Sequence, residues 1–140
     1  MPKDFAKLLP MINYNNKIFV TISNSEGGDT TKETIYFYKQ NGNRVTATYK
    51  GGFIKLGFVE ASADKWGNLQ MQYYHTNQKN ELITGICIST PEIMSNGKIR
   101  IIEDWQWTCK HFPNGRSILE EIELNEDEIQ SFYNKHHIGL

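Results

Sequence analysis

The stretch "IRIIEDWQWT" at residues 99–108 alternates between two sets of side chains. Because neighbouring side chains of a strand point to opposite faces, one face of this predicted strand carries Ile99, Ile101, Glu103, Trp105 and Trp107. That face is apolar except for the glutamate. Burial of a carboxylate without partners costs several kcal/mol, so Glu103 is expected to have hydrogen-bond donors, to contact a ligand or to lie near an opening.

Seven further stretches rich in β-branched and aromatic residues alternate with Gly, Asn and Asp clusters. This alternation is typical of an antiparallel meander. The predicted strands are Lys17–Ser23, Glu33–Lys39, Arg44–Lys50, Phe53–Glu60, Asn68–His75, Glu81–Ser89, Lys98–Thr108 and Arg116–Leu124. Asn and Gly accept the positive φ of tight turns. The predicted turns are "NGN" at 41–43, "KGG" at 50–52, "DKWGN" at 64–68, "SNGK" at 95–98 and "PNGR" at 113–116.

The edges of such a sheet decide the fold class. Unpaired edge strands invite association with other chains, and closure of the sheet into a barrel removes them. The sequence therefore predicts an all-β, antiparallel up-and-down barrel of about eight strands in a single domain over residues 1–140. A two-sheet sandwich is the alternative, because strand number and turn spacing do not separate the two architectures.

Both ends of the chain are predicted to form helices. A short N-terminal helix is expected in "PKDFAKLLPMI", and Pro10 ends it. In "LNEDEIQSFYNKHH", Asn125 is a candidate N-cap and Glu128 follows at the spacing of a capping box. The side chains expected to dock this C-terminal helix on the barrel are Leu124, Ile129, Phe132 and Tyr133.

Charge and hydropathy argue against several classes of partner. The chain has 15 basic and 16 acidic residues, so it has no broad electrostatic footprint for nucleic acid or an anionic membrane. No apolar run approaches the roughly 20 residues of a membrane-spanning helix, and the first residues do not resemble a secretion signal. We therefore expect a cytoplasmic protein in which Cys87 and Cys109 are reduced.

Other strands also have apolar faces that end in polar groups. Tyr73 and His75 follow Met71 on one face, and the corresponding face of the next strand carries Leu82, Thr84, Ile86 and Ile88. Glu120 shares a face with Ile118 and Ile122 and is a second candidate interior acid. Together these faces predict a cavity with an apolar wall and convergent polar groups. The candidate ligand-binding residues are Tyr73, His75, Thr84, Glu103, Trp105, Trp107 and Glu120.

Each of these residues also has a purely structural interpretation. Glu103 can pair with an interior Arg or His, Glu120 can pair with Arg100 or Arg116, and the tryptophans can fill the core. Cys109 and His111 lie close together, but no second pair with ligand spacing accompanies them. No metal site is therefore predicted, no catalytic residue is identified, and the sequence does not name a cofactor.

Five blocks carry a resemblance to a known family: "MINYNNKIF", "TATYKGG", "ELITGICIS", "EDWQWT" and "SILEEI". Across residues 11–123 the chain resembles a family of small bacterial proteins that often carry the label N-acetylglutamate synthase. The label implies acetyl transfer from acetyl-CoA to glutamate. The chain has no Q/R-x-x-G-x-G/A turn at a helix start, which acetyltransferases of the common type use to bind CoA. At the level of fold, the strand pattern is similar to calycin barrels such as lipocalins.

These observations rank the possible functions. The first is binding of a small, partly apolar ligand inside the barrel, with a homo-oligomer as a possible assembly. The second is an isomerase, cyclase or hydrolase with Glu103 or Glu120 as general base and His75 as acid. The acetyltransferase implied by the resemblance comes third. A different class is an interaction module that uses Tyr36, Tyr38 and Tyr74 on the outside of the barrel.

Overall fold

The computed structural model describes residues 12–135, which form eight strands and one helix. They are β1 (Ile18–Asn24), β2 (Ile35–Asn41), β3 (Arg44–Gly51), β4 (Ile54–Ala63), β5 (Leu69–Asn77), β6 (Leu82–Ile93), β7 (Ile99–Trp107), β8 (Asn114–Ile122) and α1 (Glu126–Lys135). Each strand pairs antiparallel with the next, and β1 also pairs with β8, so the sheet closes into a barrel. The predicted barrel is confirmed and the sandwich alternative is wrong. The predicted N-terminal helix lies outside the described residues.

Strand β6 continues beyond its predicted end at Ser89, although Pro91 follows. The pairing of β5 with β6 ends at Leu69 and Ser89, so Pro91 pairs only with Ile101 of β7. The missing N–H of the proline therefore falls on a side of β6 that has no partner strand, and it costs no ladder hydrogen bond.

Three aromatic rings inside the barrel lie across glycines of the adjacent strand. The register pairs are Tyr49 with Gly57, Tyr73 with Gly85, and Trp105 with Gly115. A Cβ at any of the three glycines would overlap the facing ring; at Gly115 it would lie 2.6 Å from Cζ2 of Trp105. The rings thus occupy space that side chains of the neighbouring strands would otherwise fill.

Two errors of the sequence analysis follow from this packing. The turn predicted at "PNGR" is wrong, because β8 begins at Asn114 and Gly115 lies in the strand beneath Trp105. The connection between β7 and β8 instead turns through three consecutive residues with positive φ. They are Lys110, His111 and Phe112, with φ values of 48°, 67° and 55°.

The second error concerns the inward face of β6. The sequence placed Leu82, Thr84, Ile86 and Ile88 inside, but this strand turns Ile83, Gly85, Cys87 and Ser89 inward. Gly85 must face inward to accommodate the ring of Tyr73. The larger aliphatic side chains of β6 are therefore on the outside, where Leu82, Ile86 and Ile88 are 62%, 48% and 60% exposed.

The tyrosines of β2 also differ from expectation. Tyr36 and Tyr38 were predicted to lie outside, but both are buried in the core, and Tyr36 stacks on Tyr49 with ring centroids 4.7 Å apart. Of the three tyrosines proposed for a partner surface, only Tyr74 is exposed. The predicted partner surface of Tyr36, Tyr38 and Tyr74 on the outside of the barrel is therefore wrong.

One end of the barrel is closed by the segment before β1. Tyr14 is fully buried, donates its hydroxyl hydrogen to the carbonyl oxygen of Gly67 at 2.5 Å, and packs against Phe19 and Tyr38. The loops between β1 and β2, β3 and β4, β5 and β6, and β7 and β8 lie at the opposite end. Any access to the interior at that end passes between these loops.

Helix α1 has the predicted capping box. The backbone N–H of Glu128 donates to Oδ1 of Asn125, and the N–H of Asn125 donates to Oε1 of Glu128. Tyr133 stacks on the outward ring of Phe37, and Nζ of Lys50 lies 4.0 Å from the centre of the Tyr133 ring. The helix therefore packs on the outside of the barrel. Within residues 12–135 no helix is long and apolar enough to span a membrane.

The replacement Gly85→Ala tests the packing of rings across glycines. We expect the free energy of unfolding to fall by about 1–3 kcal/mol, because the new methyl group must displace the Tyr73 ring. Urea denaturation measures this change. Thr84→Ser, on the outward face of the same strand, is the control: it keeps the hydroxyl that bonds Thr108 and should change stability by about 0.5 kcal/mol or less. Equal effects of the two replacements would contradict the packing described here.

Candidate ligand-binding cavity

A cavity lies inside the barrel toward the end where the 25–34 loop joins β1 to β2. The space that water-sized molecules can occupy there is about 40 Å³, which is room for a few waters. The lining residues are Asn24, Gly28, Asp29, Thr30, Tyr36, Tyr49, Val59, Met71, Tyr73, His75, Cys87, Glu103, Trp105, Trp107 and Ser117. Strands β1 to β8 all contribute a lining residue, so the closed sheet itself forms the wall.

His75 connects two other lining residues through hydrogen bonds. Its Nε2 lies 2.8 Å from Oδ2 of Asp29, and its Nδ1 lies 2.7 Å from the hydroxyl of Tyr49. Because a carboxylate only accepts, the hydrogen between the two groups lies on Nε2; when the ring carries no second proton, Nδ1 accepts from the hydroxyl of Tyr49. Burial raises the pKa of the Tyr49 hydroxyl well above its ordinary value, which keeps that hydroxyl a donor.

The 25–34 loop is held over the cavity by side-chain hydrogen bonds. Oδ2 of Asp29 accepts from His75 and from Nδ2 of Asn77 at 3.1 Å. Asn24 accepts from Nε1 of Trp105 at 2.9 Å and donates to Oγ1 and the carbonyl oxygen of Thr30. The loop is therefore connected both to β5 and to the tryptophan of β7.

Glu103 lies in the barrel wall between two serines of the adjacent strands. It is 6% exposed and pairs in register with Ser89 and Ser117. Oγ of Ser117 donates to Oε1 of Glu103 at 2.9 Å, whereas Oγ of Ser89 has no hydrogen-bond partner within residues 12–135. Burial raises the pKa of the Glu103 carboxyl to about 7, and the hydrogen bond from Ser117 opposes part of this shift. Within residues 12–135 no Arg or His is paired with Glu103. The structural interpretation in which Glu103 pairs with an interior Arg or His is therefore wrong for these residues.

The structure brings five of the seven candidate residues to this cavity: Tyr73, His75, Glu103, Trp105 and Trp107. Thr84 and Glu120 are not among them. Thr84 faces outward and bonds the hydroxyl of Thr108 at 2.7 Å, because Gly85 takes the inward position. Glu120 lies outside and its Oε2 is 2.8 Å from Nη2 of Arg100, since Ser117 and Leu119 are the buried residues of β8.

Several lining residues were missed in the sequence. Tyr49 alternates with the buried Val45 and Ala47, so strand periodicity alone could have placed it inside. Ser117 follows from the same periodicity once Leu119 is known to be buried. Asp29 and Asn24 had no such signal, because the position of the 25–34 loop depends on contacts with distant strands.

Two other features of the molecule lack the groups of a binding site. A hollow of about 850 Å³ follows the outer face of β4 to β8, but its walls are open and contain no buried acid aimed into it. Sγ of Cys109 lies 3.7 Å from the carbonyl oxygen of Thr84, and both cysteines are free. Within residues 12–135 no group of three His, Cys, Asp or Glu side chains is arranged to hold a metal ion.

Comparison with known families matches residues 12–122 to the avidin-like protein family. The chain belongs to this family. The match covers all eight strands of the avidin-like barrel and ends before α1. It gives no support to the N-acetylglutamate synthase label. No curated protein and no solved structure matches the chain.

The position of Glu103 predicts a pH dependence of stability. The pKa of the Glu103 carboxyl is about 7 in the folded protein, against an ordinary value of 4.5. The contribution of the protonated carboxyl to the free energy of unfolding is therefore complete below about pH 4.5 and is lost as the pH rises through 7. One pKa unit corresponds to about 1.4 kcal/mol, so the loss is on the order of 3 kcal/mol. Glu103→Gln removes the ionisation, and we expect its stability relative to the wild type to increase with pH over this range.

Urea denaturation at about pH 5 and about pH 8 measures this difference. Glu60→Gln is the matched control, because the Glu60 side chain is 65% exposed and pairs only with Arg44 on the surface. Its stability should follow the wild type at both pH values. If the free energies of unfolding of the wild type and Glu103→Gln changed in parallel with pH, ionisation of Glu103 would cost the folded protein no stability, and the prediction would be contradicted.

Proposed function

We propose that this avidin-like barrel binds a small, partly apolar ligand in its interior. The observation that carries the proposal is the convergence of Glu103, His75 and Asn24 with two tryptophans on one cavity at the loop end of the barrel. Ligand sites typically combine an apolar wall with a few placed polar groups. Membership of the avidin-like family supports it, since that family binds small ligands such as biotin.

Binding requires movement of the 25–34 loop. The present cavity of about 40 Å³ holds a few waters and is too small for a complete ligand. Gly28, Asp29 and Thr30 of the loop line it, and the hydrogen bonds of Asp29 are the contacts that must be exchanged. A ligand that replaces them gains entry at the cost of a few polar interactions, while the barrel wall keeps its shape.

The chemistry of the cavity favours binding over turnover. Both ring nitrogens of His75 are already engaged, one by Asp29 and one by Tyr49. The Tyr49 hydroxyl stays protonated, so the hydrogen-bonded chain orients a donor and does not activate a nucleophile. Glu120, one of the two predicted general bases, lies outside the barrel. An enzyme that uses a Glu and His pair is therefore supported less well than a binding protein.

The formation of a homo-oligomer by this chain is a prediction that one feature of the barrel surface supports. The outward side chains of Leu82, Ile86 and Ile88 form an apolar strip along β6, and avidin-like proteins often form oligomers. We propose that this strip contacts a second copy of the chain. Light scattering coupled to size exclusion should give a mass above 16.2 kDa for the wild type and a lower mass for Ile88→Lys. A monomeric wild type would contradict the proposal.

Native mass spectrometry of protein purified from its own host tests ligand binding. We expect a reproducible extra mass that is lost on denaturation, because a closed barrel should retain its ligand through purification. Glu103→Gln should carry less of this mass while remaining folded by circular dichroism, and Glu60→Gln should carry as much as the wild type. A bare protein mass for the wild type would contradict the proposed function.

A further inference from the structure

The lining of the cavity is aromatic and acidic. Five rings and two carboxyl groups face it, from Tyr36, Tyr49, Tyr73, Trp105, Trp107, Asp29 and Glu103. None of the described lining residues is a lysine or an arginine. Because the faces of aromatic rings carry partial negative charge, rings and carboxylates attract the same kind of ligand group, a cation.

The charge of Asp29 is already compensated within the protein. Its Oδ2 accepts from the ring N–H of His75 at 2.8 Å and from the amide of Asn77 at 3.1 Å. This carboxylate holds the 25–34 loop and does not need a ligand to satisfy it. The acid that remains for a ligand is Glu103.

Glu103 lacks a counter-ion among the described residues. Its hydrogen bond comes from the neutral hydroxyl of Ser117, and no ion pair involves it within residues 12–135. The buried lysine of the fold, Lys50, is on the outside of β3 against Tyr133 and Phe37. The ring nitrogens of His75 are both engaged elsewhere. The barrel therefore buries a carboxyl group beside a cavity and supplies no positive charge for it.

The three possible charges of a ligand differ in what they do to Glu103. A neutral ligand stabilises an ionised Glu103 only through hydrogen-bond donors and supplies no opposite charge. An anionic ligand adds a second negative charge close to Glu103 and Asp29. A cation compensates Glu103 by charge and also contacts the ring faces, an interaction worth about 2 kcal/mol when it is desolvated.

We propose that the cavity takes a ligand whose buried end is a cationic amine or amidine, with Glu103 as counter-ion and the tyrosine and tryptophan rings as walls. The inference rests on the proposed function and names the ligand class for the same cavity. It assigns the end of the ligand that lies beside Glu103 and excludes a carboxylate at that end.

Three probes that share one ring and differ in charge test the inference: benzylamine, benzyl alcohol and benzoate. The background is Trp66→Phe, because Trp66 is 61% exposed and its removal leaves Trp105 and Trp107 as the fluorescent side chains. We expect benzylamine to change their emission with a Kd about tenfold lower than benzyl alcohol, and benzoate to bind weakest. In Glu103→Gln the Kd of benzylamine should rise to about that of benzyl alcohol, whereas in Glu60→Gln the difference between the two Kd values should remain.

Equal or tighter binding of benzoate or benzyl alcohol would overturn the inference and leave the cavity as a ligand site. The same amine preference in Glu103→Gln would also overturn it, because the charge would then act elsewhere. The ranking of the three probes in Trp66→Phe, which keeps Glu103, does not depend on the folding of any Glu103 variant. Absence of binding by all three probes would overturn the inference, and a bare mass in the native spectrum would then remove the proposed function as well.

Discussion

The packing of rings across glycines determines the interior of this barrel. Tyr49, Tyr73 and Trp105 come from three different strands, and each covers a glycine of the strand beside it. Close packing leaves no space for a Cβ at these glycines. The rings therefore have defined positions, and the polar groups between them, His75 and Glu103, are held by the same wall.

The buried acid follows from this arrangement. The rings and the 25–34 loop restrict the water near Glu103 to a cavity of about 40 Å³, and the residues paired with it on the adjacent strands are serines. A protein that needed only stability would gain by an apolar side chain at this position, since a buried carboxylate without a cation is costly. The hydrogen bonds of His75 with Asp29 and Tyr49 connect three other polar groups of the same cavity to one another. Under the proposed function, Glu103 is therefore the group whose interactions a ligand would complete.

The sequence predicted the barrel well because alternation and turn residues are local signals. It also predicted that Glu103, Trp105 and Trp107 share an inward face. It failed where a glycine had a packing role: Gly115 was interpreted as a turn, and the inward position of Gly85 reversed the face assigned to Thr84. Glu120 was predicted to face inward with Ile118 and Ile122, but Ser117 and Leu119 occupy the inward face of β8. Asp29 required knowledge of how a loop meets distant strands.

The most direct test of the account is a carbon-13 NMR titration of the Glu103 side-chain carboxyl in the ligand-free protein. Assignment by comparison with Glu103→Gln isolates the signal of this residue. We expect a midpoint at about pH 7, because the carboxyl is buried beside the cavity with one hydroxyl donor and without a cation from residues 12–135. A midpoint near the ordinary value of 4.5 would show that Glu103 is solvated or paired with a positive charge, and would contradict the account.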